Sequence, residues 1–559
     1  DGVPDAAFKA LEGDEKAWVT SLKKRNKKER EGQRGLDFDG HQATDSATIF
    51  AASLAEIDAL PDDTVEAIER KESLHRELDG SAEAQGARLA ADAWCASFVA
   101  PKEPDAPVIT TKVVRQLIDD SSSVAADVIA AVEQLADQFQ FFHPHLDFAD
   151  VFDPTNPDST ENESTGWHGG FDAVLGNPPW EKVKLQEKEW FAERDPEIAS
   201  APNAAARKRR IAALESEDPP LFADFKAALR LAEGVSHLLR DSDRYPLCGR
   251  GDVNTYTVFA ESMRELTGPT GRTGVIVPSG IATDDTTKFF FQDIVERRSL
   301  VSLFDFENRK AIFPGVHRSY KFCLLTLAGS GRAADEAEFV FFALDTADLN
   351  DPERRFTLTP EDFELLNPNT RTCPIFRTRR DAEITKGIYR RVPVLVNEND
   401  PEGNPWGVKF STMFHMSNDS HLFRTRDQLE SDGWLLRGNI FTRGNERYLP
   451  LYEGKMVHHF DHRWATHEDG GFRDVTDAEK ADPAFVAIPE SWIRESELTD
   501  VEDSLLFTWR NIARSDDERS FVNGCVPKAA VANSLTTCAV EGELWAFATV
   551  ASTLGCDWA

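Results

Sequence analysis

No run of about 18 consecutive apolar residues, the length a membrane-spanning helix needs, occurs in the 559-residue sequence. The opening Asp1-Gly2-Val3-Pro4 has neither the make-up of a signal peptide nor an initiator Met, so the chain is expected to begin inside a longer protein. Cysteine is scarce. Cys95, Cys248, Cys323, Cys373, Cys525, Cys538 and Cys556 make seven, an odd number with no CxxC spacing. This argues against a disulfide framework and the common zinc signatures, and it fits a reducing cytoplasm. Positive charge is scarce too: 22 Lys and 41 Arg face 97 acidic residues, for a formal net charge of −34. Proteins that bind nucleic acid usually carry a basic footprint, so charge alone speaks against that partner. An acidic surface poor in Lys is also the pattern of a halophilic cytoplasm. There a Debye length of roughly 3 Å at 1 M salt screens repulsion from phosphate.

What is present can fold. Apolar residues make up 41% of the chain, enough for sizeable cores, and the length suggests roughly three or four domains. Residues 1–140 read as a polar, helical region, with helical spacing over 64–78 and 124–139. It holds a basic island, Lys23-Lys24-Arg25-Asn26-Lys27-Lys28, either a phosphate contact or a solvated face. Residues 153–170, with Pro154, Pro157 and Gly166, read as a loop. Short apolar runs then mark strands at 171–176, 274–278, 300–306, 322–327 and 338–344. The first reads as a strand buried on both faces. The last two, joined by the 328–337 turn region, are expected to form a hairpin at one sheet edge.

Between these runs, Tyr256, Phe259, Ala260, Met263 and Leu266 give one apolar helix face, ended by Gly268-Pro269. Phe289 to Val295 suggests another helix, and 181–250 a charged, largely helical insertion. Strand–helix alternation predicts an α/β sheet across 141–345. From 346 to 559 the alternation is lost, and a second, α+β domain is expected.

Asn177-Pro178-Pro179-Trp180 follows the first strand directly. As a tetrapeptide it only marks a turn, but ligands of open α/β sheets bind beyond the carboxyl ends of strands. A stiff Pro-Pro turn there holds an amide and a large ring in fixed geometry. Methylation of an exocyclic amine needs such a pair. The base must leave the duplex stack. The Asn177 side-chain oxygen and the Pro178 carbonyl can then accept from its NH2 group, while Trp180 offers a stacking face worth roughly 1–3 kcal/mol. This chemistry needs neither an acid nor a metal.

The string Gly170-Phe171-Asp172-Ala173-Val174-Leu175-Gly176-Asn177-Pro178-Pro179-Trp180-Glu181 resembles the catalytic motif of gamma-type amino-methyltransferases, in the form found in large Type IIG restriction–modification and phage-defence methylases. Gly251-Asp252-Val253-Asn254-Thr255-Tyr256 resembles the opening of the family's next helix, and Gly274-Val275-Ile276-Val277-Pro278-Ser279 its following strand. Ile312-Phe313-Pro314-Gly315-Val316 looks like the motif whose aromatic residue packs against the flipped adenine, here Phe313. Residues 367–395, with Asn367-Pro368-Asn369-Thr370-Arg371-Thr372-Cys373-Pro374, and Pro450-Leu451-Tyr452-Glu453-Gly454-Lys455 resemble parts of a target-recognition domain.

The resemblance spans nearly the whole chain. It implies a partial Rossmann-like methyltransferase sheet over 141–345, with a helical N-terminal region and a C-terminal α+β target-recognition domain. It implies transfer of a methyl group from S-adenosylmethionine to adenine N6 in double-stranded DNA, with Asn177, Pro178, Pro179, Trp180 and Phe313 at the site. Alternatives are a non-catalytic DNA-binding component of a defence system, or methylation of RNA or a protein amide.

The family's glycine-rich cofactor motif is missing. Residues 1–170 contain no GxG, and Gly249-Arg250-Gly251 does not follow a strand. The cofactor half is therefore expected in an absent N-terminal segment or another restriction or defence subunit, with Asp172 and Asn254 as candidates for the cofactor's edge. Arg207-Lys208-Arg209-Arg210 is a candidate phosphate contact. His458-His459-Phe460-Asp461-His462 reads as a polar stretch rather than a metal centre. His143 and His145 alternate along a segment read as extended, and Glu307 and Asn308 end a strand as candidate pocket residues.

Overall fold

The computed structural model describes residues 2–31, 53–54, 56–57, 59–152, 160–162, 165–468, 470–498, 505–513 and 521–552. Pro154, Pro157 and Cys556 lie outside the described residues. The chain forms two compact units, Asp1–Pro393 and Val394–Ala559, and the architecture is mixed α/β with a helical N-terminal region.

The first unit opens with helices α1 (Lys16–Glu31), α2 (Val65–Asp79), α3 (Ala82–Val99), α4 (Thr111–Asp120) and α5 (Ala126–Phe139). Val19, Leu22, Phe98, Val114, Leu117 and Val132 share one core. The basic island lies on α1, but its Asn26 is fully buried. Its Nδ2 donates to the Val3 carbonyl (2.8 Å), and its Oδ1 accepts from the Thr111 backbone (2.9 Å) and hydroxyl (2.8 Å). Arg25 and Lys27 pair with Glu29 and Glu31 along the same helix. Helix α2 buries none of its residues fully, and Val65 and Ile68 are exposed, but Ala67, Lys71, Leu74 and Leu78 are half-buried at helical spacing and Leu78 packs against Leu54 and Ala149.

Six strands form the sheet of this unit: β1 (Phe171–Gly176), β2 (Thr267–Pro278), β3 (Leu300–Glu307), β4 (Lys321–Ala328), β5 (Ala337–Ala343) and β6 (Phe356–Leu358). Their order is β1-β2-β4-β3-β5-β6. Pairs β1–β2 and β3–β5 are parallel; β4 runs antiparallel between β2 and β3, and β6 antiparallel to β5. The insertion contributes α6 (Glu187–Ala192), α7 (Ala204–Glu217) and α8 (Pro219–Asp241), while α9 (Thr255–Glu265) and α10 (Lys288–Glu296) cover one sheet face. Helices α11 (Pro360–Leu366) and α12 (Arg379–Tyr389) also join this unit, and Phe363 and Ala382 lie in the core under the sheet.

Four sequence-based expectations are corrected. First, β4 and β5 are not an edge hairpin, because β3 lies between them. The link after β4 passes the start of β3, where Ala328 N–H donates to the Ser299 carbonyl (2.7 Å) and Ala334 N–H to that of Arg298 (2.7 Å). Second, β1 is not buried on both faces. It is the edge strand, Asp172 and Ala173 are exposed, and Leu175 is 81% exposed. Third, Gly268-Pro269 is not a helix terminator but part of the long strand β2, since α9 already stops at Glu265. Gly170 faces Gly268 here at φ +130°, where a Cβ would come within 2.6 Å of the Gly268 nitrogen. The two glycines let the backbones of β1 and β2 touch. Fourth, Phe259 does not share the buried face of α9. Tyr256, Ala260 and Met263 are buried, and Phe259 is exposed.

The second unit is built mainly of strands. β13 (Trp492–Arg494), β10 (Glu446–Tyr452), β9 (Ile440–Arg443) and β8 (Leu435–Arg437) pair in that order, and β16 (Ala530–Val531) lies beside β10. β15 (Asn523–Pro527), β14 (Leu505–Arg510), β17 (Leu535–Ala539) and β7 (Lys409–Ser411) form another sheet, and β11 (Ala465–Glu468) pairs with β12 (Gly471–Asp474). Tyr452, Val457, Val526 and Val531 fill one core; Phe441 and Trp492, in edge contact at 5.0 Å, anchor another. Among the described residues no helix is long and apolar enough to cross a membrane.

Candidate functional site

Because β1, β2, β3 and β5 share one direction and β4 opposes them, four carboxyl ends and the start of β4 lie at the same end of the sheet. Asn177-Pro178-Pro179-Trp180 leaves β1 there, and the loop carrying Phe313 leaves β3. Phe322, near the start of β4, sits in register with Pro278 of β2 and Phe306 of β3. Its ring stacks on Phe306 at 5.3 Å, meets Phe313 edge-on at 5.0 Å, and lies 6.5 Å from Trp180. Two aromatic residues chosen from separate motifs therefore converge on a third. In the sequence Phe322 is simply part of an apolar strand run, and nothing local marks it as their shared platform.

The loop after β1 is held from one side. Thr255 Oγ1 donates to the Pro179 carbonyl (2.6 Å) and accepts from Glu181 N–H (3.0 Å). Thr255 N–H donates to the Glu181 carbonyl (2.8 Å), and Val183 N–H to that of Val253 (3.0 Å). The segment before α9 thus grips the backbone on both sides of Trp180. Pro178 is buried, Asn177 and Pro179 are exposed, and Trp180 is half-buried. The Asn177 side chain has no hydrogen-bond partner among the described residues. Trp180 Nε1 and Asn254 Oδ1 are buried polar atoms without partners. Such atoms cost about 1–3 kcal/mol each, and at a binding site they are where a ligand supplies the missing partner.

The loop after β3 is held by Asn308, which is fully buried. Its Nδ2 donates to the carbonyls of Phe313 (3.0 Å) and Val316 (2.9 Å), and its Oδ1 accepts from Phe313 N–H (3.0 Å). Asn308 therefore shapes the loop instead of lining a pocket. Its neighbour Glu307 pairs with Arg309 (2.6 Å) and Lys321 (3.4 Å). Asp305, one turn of strand earlier, is buried and accepts from the Ser279 hydroxyl and from Phe342 N–H (3.0 Å); burial pushes its carboxyl above the usual range.

The remaining candidates are scattered. Asp172 is exposed on the edge strand, and Asn254 precedes α9. Gly249-Arg250-Gly251 lies in the loop between α8 and α9, where Gly249 is pressed against the Leu239 and Tyr245 carbonyls and Arg250 lies over the Phe289 ring at 4.7 Å. The basic tetrad divides. Arg207 turns inward to Glu187 (2.7 Å) and Arg210 bonds the Glu197 carbonyl, whereas Lys208 and Arg209 are exposed. Residues 143–147 are not extended: Pro144–Asp147 is a helical turn. His143 meets Asp92 at 2.8 Å, and His145 stacks on Trp167 at 5.6 Å. In the second unit His458 stacks on Trp464 at 4.1 Å, and Asp461 pairs with Lys480 at 2.9 Å. Among the described residues no group of three or more His, Cys, Asp or Glu is placed to hold a metal ion.

No protein-family model matches the sequence, and no curated protein matches it. Among solved structures there is distant similarity to restriction–modification enzymes. The ATP-dependent Type ISP enzyme LlaBIII bound to DNA is 9% identical, with a TM-score of 0.29 over 84% of this chain and 32% of that one. A modification subunit of a putative type I restriction enzyme from Vibrio vulnificus YJ016 is 9% identical, with a TM-score of 0.21 over 55% of this chain and 63% of that one. The type IIG restriction endonuclease BpuSI is 11% identical, with a TM-score of 0.23 over 96% and 69%. This chain thus spans about a third of the first structure and less than two thirds of the second.

Proposed function

We propose that this chain carries the base-holding and target-binding parts of an S-adenosylmethionine-dependent DNA methyltransferase that acts on adenine N6 in a restriction–modification or phage-defence system. The observation that carries the reading is the meeting of Trp180 and Phe313 on Phe322, beside an Asn177 amide with no partner of its own. An extruded adenine presents a π-face and an NH2 group. Trp180 and Phe313 take the face. Asn177 Oδ1 and the Pro178 carbonyl accept the two N–H bonds. With both hydrogens engaged, the nitrogen lone pair is drawn out of conjugation and exposed for methyl transfer. Asn308 and Thr255 act one step back, as positioning residues for the two loops.

S-adenosylmethionine would supply the methyl group. The described residues do not make a complete site for it: Asn254 Oδ1 is an orphaned acceptor at one edge and Asp172 is exposed, but no glycine-rich turn follows a strand. Edge strand β1 leaves Ala173 and Leu175 bare on one face, and among the described residues no strand pairs with its outer side. A strand bearing the cofactor cradle would continue the sheet there.

The test is transfer of labelled methyl from S-adenosylmethionine in concentrated KCl. Duplex DNA, RNA and protein acceptors are offered to the chain alone and to the longest natural form of the protein. Incorporation into duplex DNA that is lost with Asn177→Ala is the expected result. DNA binding without transfer in every form would replace this reading with that of a non-catalytic DNA-binding component.

A further inference from the structure

Just beyond the site loop lies a cavity of about 490 Å³ whose wall carries Lys182, Lys184, Lys188, Arg207 and Arg240. The carboxylates on the same wall are Glu187, Glu189 and Asp252, so the cavity is cationic in a chain of net charge −34. Lysines elsewhere in the first unit are commonly spent on ion pairs: Lys9, Lys226, Lys288, Lys310, Lys321 and Lys386 all meet a carboxylate. Lys182, Lys184 and Lys188 have no such partner among the described residues.

Arg207 is held by its Nε–Glu187 bond of 2.7 Å, its side chain only 12% exposed. Its Nη1 is buried with no partner. Arg240 is fixed by a bond from Nη2 to the Gly251 carbonyl. Five cations thus line one cavity, two of them oriented by specific bonds. That is a built anion site.

Its place suggests the anion. Lys182 and Lys184 lie two and four residues beyond Trp180, hence within about 7 and 14 Å of it along the chain. An extruded nucleotide carries a phosphate on each side, so a phosphodiester must lie near any base held by the loop after β1. Resting on the reading of that loop as the adenine site, we propose that the cavity binds the DNA backbone phosphate beside the extruded adenine. Arg207 gives the directed contact, and Lys184 and Lys188 the charge. The insertion that forms α6, α7 and α8 then serves as a backbone clamp for the target strand.

The test is fluorescence-anisotropy titration of labelled duplex DNA with the full chain over a series of KCl concentrations. Lys184→Gln/Lys188→Gln, two exposed positions, is compared with wild type, with Arg207→Gln, and with Lys208→Gln/Arg209→Gln on the outer face of α7. Each phosphate contact adds about 0.9 to the slope of log affinity against log salt. The Lys184/Lys188 pair is therefore expected to lower the slope by about 2 and weaken binding several-fold at the low-salt end, with the melting temperature unchanged. Arg207→Gln is expected to weaken binding in the same direction.

Wild-type binding with an unchanged slope in the Lys184/Lys188 variant overturns the cavity assignment and leaves the methyltransferase reading standing. An equal fall with Lys208→Gln/Arg209→Gln reduces the effect to general charge and also overturns it. Binding of RNA but not of duplex DNA, or of neither, removes both assignments.

Discussion

Asn308 and Phe313 are tied to each other twice: the Asn308 amide accepts from the Phe313 N–H and donates to the Phe313 carbonyl, each at 3.0 Å. One buried side chain thereby closes the loop that presents an aromatic ring to the site. Asn308→Ala is expected to cost about 2–4 kcal/mol, since it removes three hydrogen bonds and leaves part-buried backbone groups unpaired. Urea denaturation measures this. Asn308→Asp keeps the acceptor but loses both donors and buries a charge, and should be no better than Ala.

Asn177 is the opposite case. Its side chain is exposed and unpartnered, so Asn177→Ala should change stability by no more than about 0.5 kcal/mol. Methyl transfer in the proposed reaction should nevertheless be lost. Denaturation and transfer assays on the same preparation separate the two effects. A large loss of stability would mean that Asn177 is a structural turn residue.

At Gly170, the positive φ and the contact with Gly268 both exclude a side chain. Gly170→Ala is expected to destabilise the first unit by at least about 1–3 kcal/mol, the cost of a residue forced into such a conformation. Thermal melting is the check. A neutral outcome would show that β1 and β2 can separate there at no cost.

His145 supplies a pH dependence. Burial, then the nearby His143 and Arg244, lowers its pKa from about 6.5 to about 4. The folded state thus resists a proton that the unfolded chain accepts. No penalty exists above pH 6.5, and stability declines as pH falls from 6.5 towards 4. The loss reaches about 3 kcal/mol at the lower end. Denaturation midpoints across that range should fall for wild type and fall less for His145→Phe, which keeps a ring against Trp167.

How much of this was legible in the sequence depended on whether the information was local. The runs at 171–176, 300–306, 322–327 and 338–344 correspond closely to strands β1, β3, β4 and β5, because a short apolar run bounded by turn residues is a local signal. The order of those strands was not legible. Placing β4 between β2 and β3 is decided by which side chains share a core, and an eight-residue link can reach a neighbouring strand or step over one. The exposure of Leu175 was hidden for the same reason, since its run reads as buried whether or not a further strand covers it. Asn177, Trp180 and Phe313 stood out through motifs. Phe322, which brings two of them together, is one Phe among 37 and carries no local mark. Arg207 was singled out within a basic tetrad, but its turn away from Lys208 and Arg209 depends on Glu187 of another helix.

The most direct test of the central claim is to digest DNA treated with the longest natural form of the protein and S-adenosylmethionine, and to identify the methylated nucleoside by mass spectrometry. N6-methyladenine is expected with the wild-type chain and none with Asn177→Ala. Methylation at another position, or N6-methyladenine made equally well by the Asn177→Ala variant, would contradict that claim.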